Sequence, residues 1–185
     1  MSRPVTAGDR LPGDPDRETV VARMIRVDQA GEYGAARIYE GQLAILRHSQ
    51  VAGTIRKMRM QEQAHLDIFD RMVVERRVRP TLLSPVWHVA GYALGAATAL
   101  MGVRAAMACT VAVEEVISDH YAGQADTLGD DESELRSVIE QCRADEQAHR
   151  DTGLLHGAKQ APGYSLLSTA IKAGSHVAIW LSTRI

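Results

Sequence analysis

Arg59-Met60-Gln61-Glu62-Gln63-Ala64-His65-Leu66-Asp67 and Arg143-Ala144-Asp145-Glu146-Gln147-Ala148-His149-Arg150-Asp151 are two versions of one phrase, 84 positions apart (146 − 62). Each carries Glu-x-x-His, and residues at i and i+3 share one face of a helix with Cβ atoms about 5–6 Å apart. Glu62 can therefore approach one cation through oxygen while His65 approaches it through nitrogen, and Glu146 and His149 repeat the arrangement. Upstream, Glu32, Tyr39, Gly41 and Gln42 recur 82 positions later (114 − 32) as Glu114, Tyr121, Gly123 and Gln124. Each half of the chain thus reads as a helix pair with a Glu on its first helix and Glu-x-x-His on its second.

Proline and glycine divide the rest into long segments. Pro4, Gly8, Pro12, Gly13 and Pro15 mark a leader over residues 1–16, followed by one domain over 17–185. Helical periodicity is expected over 17–48, 51–78, 87–128, 132–156 and 164–182, with no strand pattern between them. The resulting expectation is all-α: an antiparallel bundle of four long helices containing an internal two-fold repeat, with an additional helix at the C-terminus. Packing the halves together brings four carboxylates and two imidazoles to similar depth, a group too costly to bury without a cation. Oxygen and nitrogen donors with no thiolate favour iron or manganese over structural zinc.

Glu114 is preferred to Glu115 because the 82-residue offset aligns it with Glu32 and because Ile117 and Tyr121 share its face. His120 reads as an ordinary hydrogen-bonded histidine or as one that orients a ligand. Asp67 and Asp151 point off the metal face and are expected at most to brace a neighbouring helix. Cys109 and Cys142 read as small buried hydrophobes.

Composition narrows the function classes. The 185 residues are 45% apolar and 24% charged, with a net charge of −2. This is enough apolar material for a single core, too much for disorder, and without the basic excess of a nucleic-acid binder. Two cysteines make neither a disulfide framework nor a zinc site. Val86 to Val103 carries no permanent charge, and Tyr164 to Leu181 is interrupted only by Lys172 and His176. These segments fit packing helices or a helix pair lying on a membrane face. A spanning helix fits less well, because the first runs on towards Glu114 and Glu115.

At RVDQAGEYGAARIYEGQLAIL, QEQAH, the region from RPTLLSPVW through ACTVAVEEVISDHYAGQ, and DEQAHRDTGL, the sequence resembles the demethoxyubiquinone hydroxylase family, from about Arg23 to the C-terminus. The resemblance implies a ferritin-like bundle holding two iron ions through Glu32, Glu62, His65, Glu114, Glu146 and His149. It further implies O2-dependent hydroxylation of a lipid-tailed demethoxyquinone in ubiquinone biosynthesis, with NADH or the quinol supplying electrons. No Gly-rich dinucleotide fingerprint is present, so any NADH contact is not a Rossmann site. Peripheral membrane association follows, on the cytoplasmic face of a bacterial inner membrane or the matrix side of a mitochondrial one, with a ubiquinone-biosynthesis protein as a further partner. The leader, lacking a transit-peptide character, favours the bacterial setting. An iron-oxidising storage protein on the same bundle is the alternative.

Overall fold

The computed structural model describes residues 13–185. Most of the expected leader lies outside them, but its end is visible: the Asp16 carboxylate accepts a hydrogen bond from the Thr19 backbone N–H at 2.7 Å and starts the first helix. An N-terminal N–H has no partner within its helix, so an acceptor at this position fixes where the helix begins. Six α-helices follow: α1 (Arg17–Leu46), α2 (Ala52–Glu75), α3 (Ser84–Leu100), α4 (Val103–Thr127), α5 (Ser133–Leu155) and α6 (Tyr164–Arg184). Short 3-10 turns occupy Asp130–Glu132 and Ala158–Gln160, and no strand occurs among the described residues.

One expectation needs correction. The third segment is not a single helix over 87–128 but two, α3 and α4, divided at Gly102. Gly102 has φ +106°, which an L side chain rarely adopts, so the chain can turn there without strain. Three glycines interrupt the apolar run at 91, 95 and 102. The first two remain helical, and composition alone does not single out the last.

The division changes the repeat. The long helices α1, α2, α4 and α5 form the bundle, while α3 packs on α1 and α6 packs on α4 and α1. The additional C-terminal helix is present as expected, and because it packs on α4 as α3 packs on α1, each half reads as a helix triplet in which α6 is the counterpart of α3. The sequence agrees, since Leu82-Leu83-Ser84 before α3 recurs 84 positions on as Leu166-Leu167-Ser168 in α6. The start of α3 is tied to the end of α6. The Leu82 N–H donates to the Ile185 carbonyl at 3.2 Å, and the Trp87 indole N–H donates to Ser182 Oγ at 3.0 Å.

Apolar packing closes the bundle at both ends and leaves its middle polar. Ile25, Phe69, Met72, Tyr121, Leu135 and Ile139 make one buried cluster, and Tyr39, Ile55, Met58, Met107 and Val111 make another. Along α1, Glu32 falls between Ile25 and Tyr39, and along α2, Glu62 falls between Ile55 and Phe69. The apolar ends therefore seal the carboxylates from water.

The contact between α1 and α3 is unusually close because it is built on backbone. A Cβ added at Gly95 would lie 1.9 Å from the Ile38 carbonyl oxygen, and one at Gly41 would lie 2.1 Å from the Tyr92 carbonyl oxygen. Neither neighbour can yield, being part of a helix. Gly95→Ala is expected to lower stability by about 1–3 kcal/mol. Gly123→Ala, where nothing lies within 4 Å, should be neutral or stabilising by up to about 1 kcal/mol. Denaturant unfolding of both variants checks this, and equal responses would contradict the close contact.

Candidate metal centre

All six candidate side chains meet in the middle of the bundle, one or two from each long helix. Glu32, Glu62, Glu114 and Glu146 are 0–2% exposed, and His65 and His149 are 5% and 2% exposed. They form two interlocking quartets whose donor atoms lie within 4.8 Å of one another: Glu32, Glu62, His65 and Glu146 in one, and Glu62, Glu114, Glu146 and His149 in the other. Glu62 and Glu146 belong to both. The carboxylates of the repeated motif are thus common to both quartets, and each remaining Glu–His pair belongs to one.

Both imidazoles turn Nδ1 inwards. His65 Nδ1 lies 3.4 Å from Glu32 Oε2 and 3.3 Å from Glu146 Oε1. His149 Nδ1 lies 2.9 Å from Glu62 Oε1 and 3.1 Å from Glu146 Oε2. Despite this proximity, Glu32 Oε2, both Glu62 oxygens, Glu114 Oε2, Glu146 Oε1 and His65 Nδ1 are buried without a hydrogen-bond partner. Buried polar atoms are normally satisfied, so a group of this size converging on one space is a strong fit for hard cations.

The remaining carboxylate oxygens are held by crossed tyrosines. Tyr39 on α1 donates to Glu114 Oε1 on α4 at 2.7 Å, and Tyr121 on α4 donates a short hydrogen bond to Glu32 Oε1 on α1. Burial, then the nearby glutamates, pushes both phenols well above their usual range, so they remain donors. Their recurrence with Glu32 and Glu114 was visible in the sequence as a shared face, whereas the exchange between halves was not.

Electrostatics in the cation-free protein follow from crowding. Burial, then Glu146, raises the Glu62 and Glu114 carboxyls well above the ordinary range. Burial opposes ionisation of Glu146 too, but His149 and His65 outweigh it and hold its carboxyl down at about 2. Burial likewise disfavours a charged His65, yet the Glu146 and Glu32 carboxylates facing its Nδ1 prevail and lift it to about 11.

Other residues fall as follows. Glu115, set aside in favour of Glu114, lies outside the quartets and pairs with Lys172. His120 is a hydrogen-bonded helix histidine: its Nε2 accepts from Gln124 at 2.9 Å and stands 3.5 Å from Asp28. Asp28 is fully buried, and burial raises it to about 6 against the opposing pull of His120. Asp67 and Asp151 do not brace a neighbouring helix; they accept from Gln63 and Arg150 on their own helices. Bracing comes instead from the residues immediately before the repeated glutamates. His65 Nε2 meets Asp145 Oδ2 at 3.1 Å, and His149 Nε2 meets Gln61 Oε1 at 3.3 Å. Cys109 and Cys142 are buried, as expected of small packing groups, and burial pushes both thiols up, Cys109 to about 12; the Cys142 sulfur also stands within 4.8 Å of donor atoms of Glu32 and His65.

Beside the centre lies an apolar cavity of about 550 Å³ between α1, α3, α4 and α6. Its wall includes Gly31 and Ala35, which bracket Glu32, and Val113 and Ile117, which bracket Glu114. Trp87 and Ile171 line the α3 and α6 sides. Outside this cavity α3 and α6 expose Val86, Val89, Leu100, Val177 and Trp180, each more than half accessible. Among the described residues no helix is long and apolar enough to cross a membrane.

A four-helix bundle that buries four glutamates and two histidines from paired Glu-x-x-His helices defines a ferritin-like carboxylate–histidine protein. Within that class the chain belongs to the family described as Ubiquinone biosynthesis protein COQ7, whose pattern matches residues 19–182. It is 58% identical over 181 residues to the 3-demethoxyubiquinol 3-hydroxylase of Rhodospirillum rubrum, covering 97% of this chain and 85% of that one. It is 52% identical over 169 residues to the human NADPH-dependent 3-demethoxyubiquinone 3-hydroxylase, mitochondrial, covering 89% and 78%. With the 5-demethoxyubiquinone hydroxylase, mitochondrial, of Saccharomyces cerevisiae it shares 41% over 180 residues, covering 88% and 77%.

The raised groups set the pH dependence of cation uptake. Glu62 and Glu114 hold their protons to higher pH than free carboxyls do, His65 holds its extra proton up to about 11, and each must give up a proton to donate a lone pair to a cation. Divalent cation binding should release protons at pH 7, and apparent affinity should rise with pH. Calorimetric titration in phosphate and in Tris, whose ionisation heats differ, measures this; identical heats in the two buffers would contradict it.

Proposed function

We propose that this chain hydroxylates the ring of a demethoxyubiquinol with O2, at two iron ions held by Glu32, Glu62, His65, Glu114, Glu146 and His149. The observation that supports it most is the juxtaposition of the orphaned carboxylate–imidazole cluster with the apolar cavity, in a family whose relatives carry hydroxylase names. A storage function would need the first feature and not the second.

When bound, the iron pair would supply the redox chemistry that activates oxygen, which no protein side chain can. The chain supplies everything else. Glu62 and Glu146, common to both quartets, would serve both ions, while Glu32 with His65 and Glu114 with His149 would complete one site each. Tyr39 and Tyr121 hold one oxygen of Glu114 and of Glu32 by hydrogen bonds, leaving the other oxygen directed into the cluster. The apolar clusters at either end of the bundle keep bulk water out.

The cavity receives the apolar part of the substrate. Its walls offer no charge to an isoprenoid tail, and its placement along the turns bearing Glu32 and Glu114 brings the ring end towards the centre. The exposed apolar residues of α3 and α6 seat the protein peripherally on a membrane surface, from which such a substrate enters. A bacterial chain would sit on the cytoplasmic face of the inner membrane, a mitochondrial one on the matrix side. Electrons come from a nicotinamide nucleotide, the names of several relatives favouring NADPH over the NADH that the family resemblance implied, or from the quinol itself.

Iron-loaded protein, given a demethoxyquinol, reductant and air, should form the hydroxylated quinol. Glu62→Ala and His149→Ala should each abolish the coupled dinuclear iron signal and at least about 99% of turnover. Absence of product from fully iron-loaded wild type would overturn the reading. Ile171→Trp, which fills the cavity, should cut kcat/KM about tenfold or more for a long-tailed substrate while leaving a tail-free analogue little changed. Val89→Glu with Trp180→Glu should reduce co-sedimentation with phospholipid vesicles, and unchanged co-sedimentation would place the membrane contact elsewhere.

A further inference from the structure

The two imidazoles are equivalent in the repeat but not in their support. The 84-residue offset that aligns Glu62 with Glu146 and His65 with His149 also aligns Gln61 with Asp145. Each of these residues reaches across to the histidine of the other half. His65 Nε2 therefore faces a carboxylate oxygen at 3.1 Å, and His149 Nε2 faces an amide oxygen at 3.3 Å. Asp145 is itself positioned one turn back, where Gln141 donates to the same Oδ2 at 3.2 Å.

The chemical difference is specific. An ionised carboxylate only accepts, so Asp145 requires the proton of His65 on Nε2 and leaves Nδ1 as a lone pair aimed into the cluster. It also draws that proton away, which makes the imidazole a stronger donor. Gln61 is neutral and carries both an acceptor and a donor, so it withdraws less from His149 and imposes its tautomer less strictly. The charges differ as well, because Asp145 places an additional carboxylate beside one position only.

We propose that the centre is built with two unequal cation positions, and that the one completed by Glu32 and His65 binds more tightly because Asp145 positions and polarises His65, whereas Gln61 leaves the Glu114–His149 position weaker. This rests on the assignment of the six residues as ligands. Asp145 and Gln61 act through the histidines as positioning residues and are not ligands themselves.

Cobalt(II) titration of the metal-free full chain, followed by visible absorption, tests this without turnover. Wild type should fill in two resolved steps. His149→Ala should retain the tighter step, and His65→Ala only the weaker one; the reverse would overturn the proposal. Asp145→Asn should weaken the first step about 10–100-fold with little effect on the second, and Asp145→Glu should restore it. Gln61→Glu, at a partly exposed position that burdens folding little, should strengthen the second step until the two converge. A first step unmoved by Asp145→Asn, or a second unmoved by Gln61→Glu, would overturn the inequality. Failure of wild type to take up cobalt at all would instead remove the ligand assignment, and this inference with it.

Discussion

Four glutamates share one small volume closed to bulk solvent, and nothing else in the molecule makes sense apart from that constraint. Removing carboxylates from water is expensive, and crowding like charges adds to the cost, as the raised Glu62 and Glu114 carboxyls record. The protein offsets part of this with His65, His149 and two tyrosine donors, and leaves the rest to what the orphaned atoms are shaped to bind. The bundle geometry serves this purpose. Four long helices surround that volume, each supplying one or two of the six side chains, and apolar packing at both ends supplies the cohesion that the middle withholds.

The other elements answer a different need. Helices α3 and α6 contribute no member of the cluster, yet they wall a cavity of about 550 Å³ against the turns that carry Glu32 and Glu114. Backbone contact at Gly95 and Gly41 presses α3 so closely on α1 that this wall cannot drift away from the centre. The exposed apolar rows on α3 and α6 then lie on the far side of the same two helices. A single pair of helices therefore lines an apolar cavity with some of its side chains and exposes other apolar side chains to the surroundings.

Much of this was legible in the sequence because a duplicated motif limits alternatives sharply. Glu32, Glu62, His65, Glu114, Glu146 and His149 could be selected by spacing and offset alone, and the choice of Glu114 over Glu115 followed from which neighbour shared its face. Less legible was anything determined between helices. The apolar run read as one helix because the left-handed backbone at Gly102 looks no different, as a letter, from the helical Gly91 and Gly95. The pairing of α6 with α3 was obscured because only three letters repeat. Asp67 and Asp151 drew attention by symmetry while Asp145, adjacent to a ligand and pointing across the bundle, passed unnoticed. A hydrogen bond between helices depends on their rotation and depth, which periodicity along one helix does not encode.

The mismatch between Gln61 and Asp145 carries a consequence for how such a protein arises. A homodimer assembled from one half would be obliged by its own two-fold axis to place the same side chain behind both imidazoles. Joined in one polypeptide, the halves are no longer bound to identity, and each can drift independently. Fusion thus does more than raise the effective concentration of the two triplets: it releases the interior from enforced sameness.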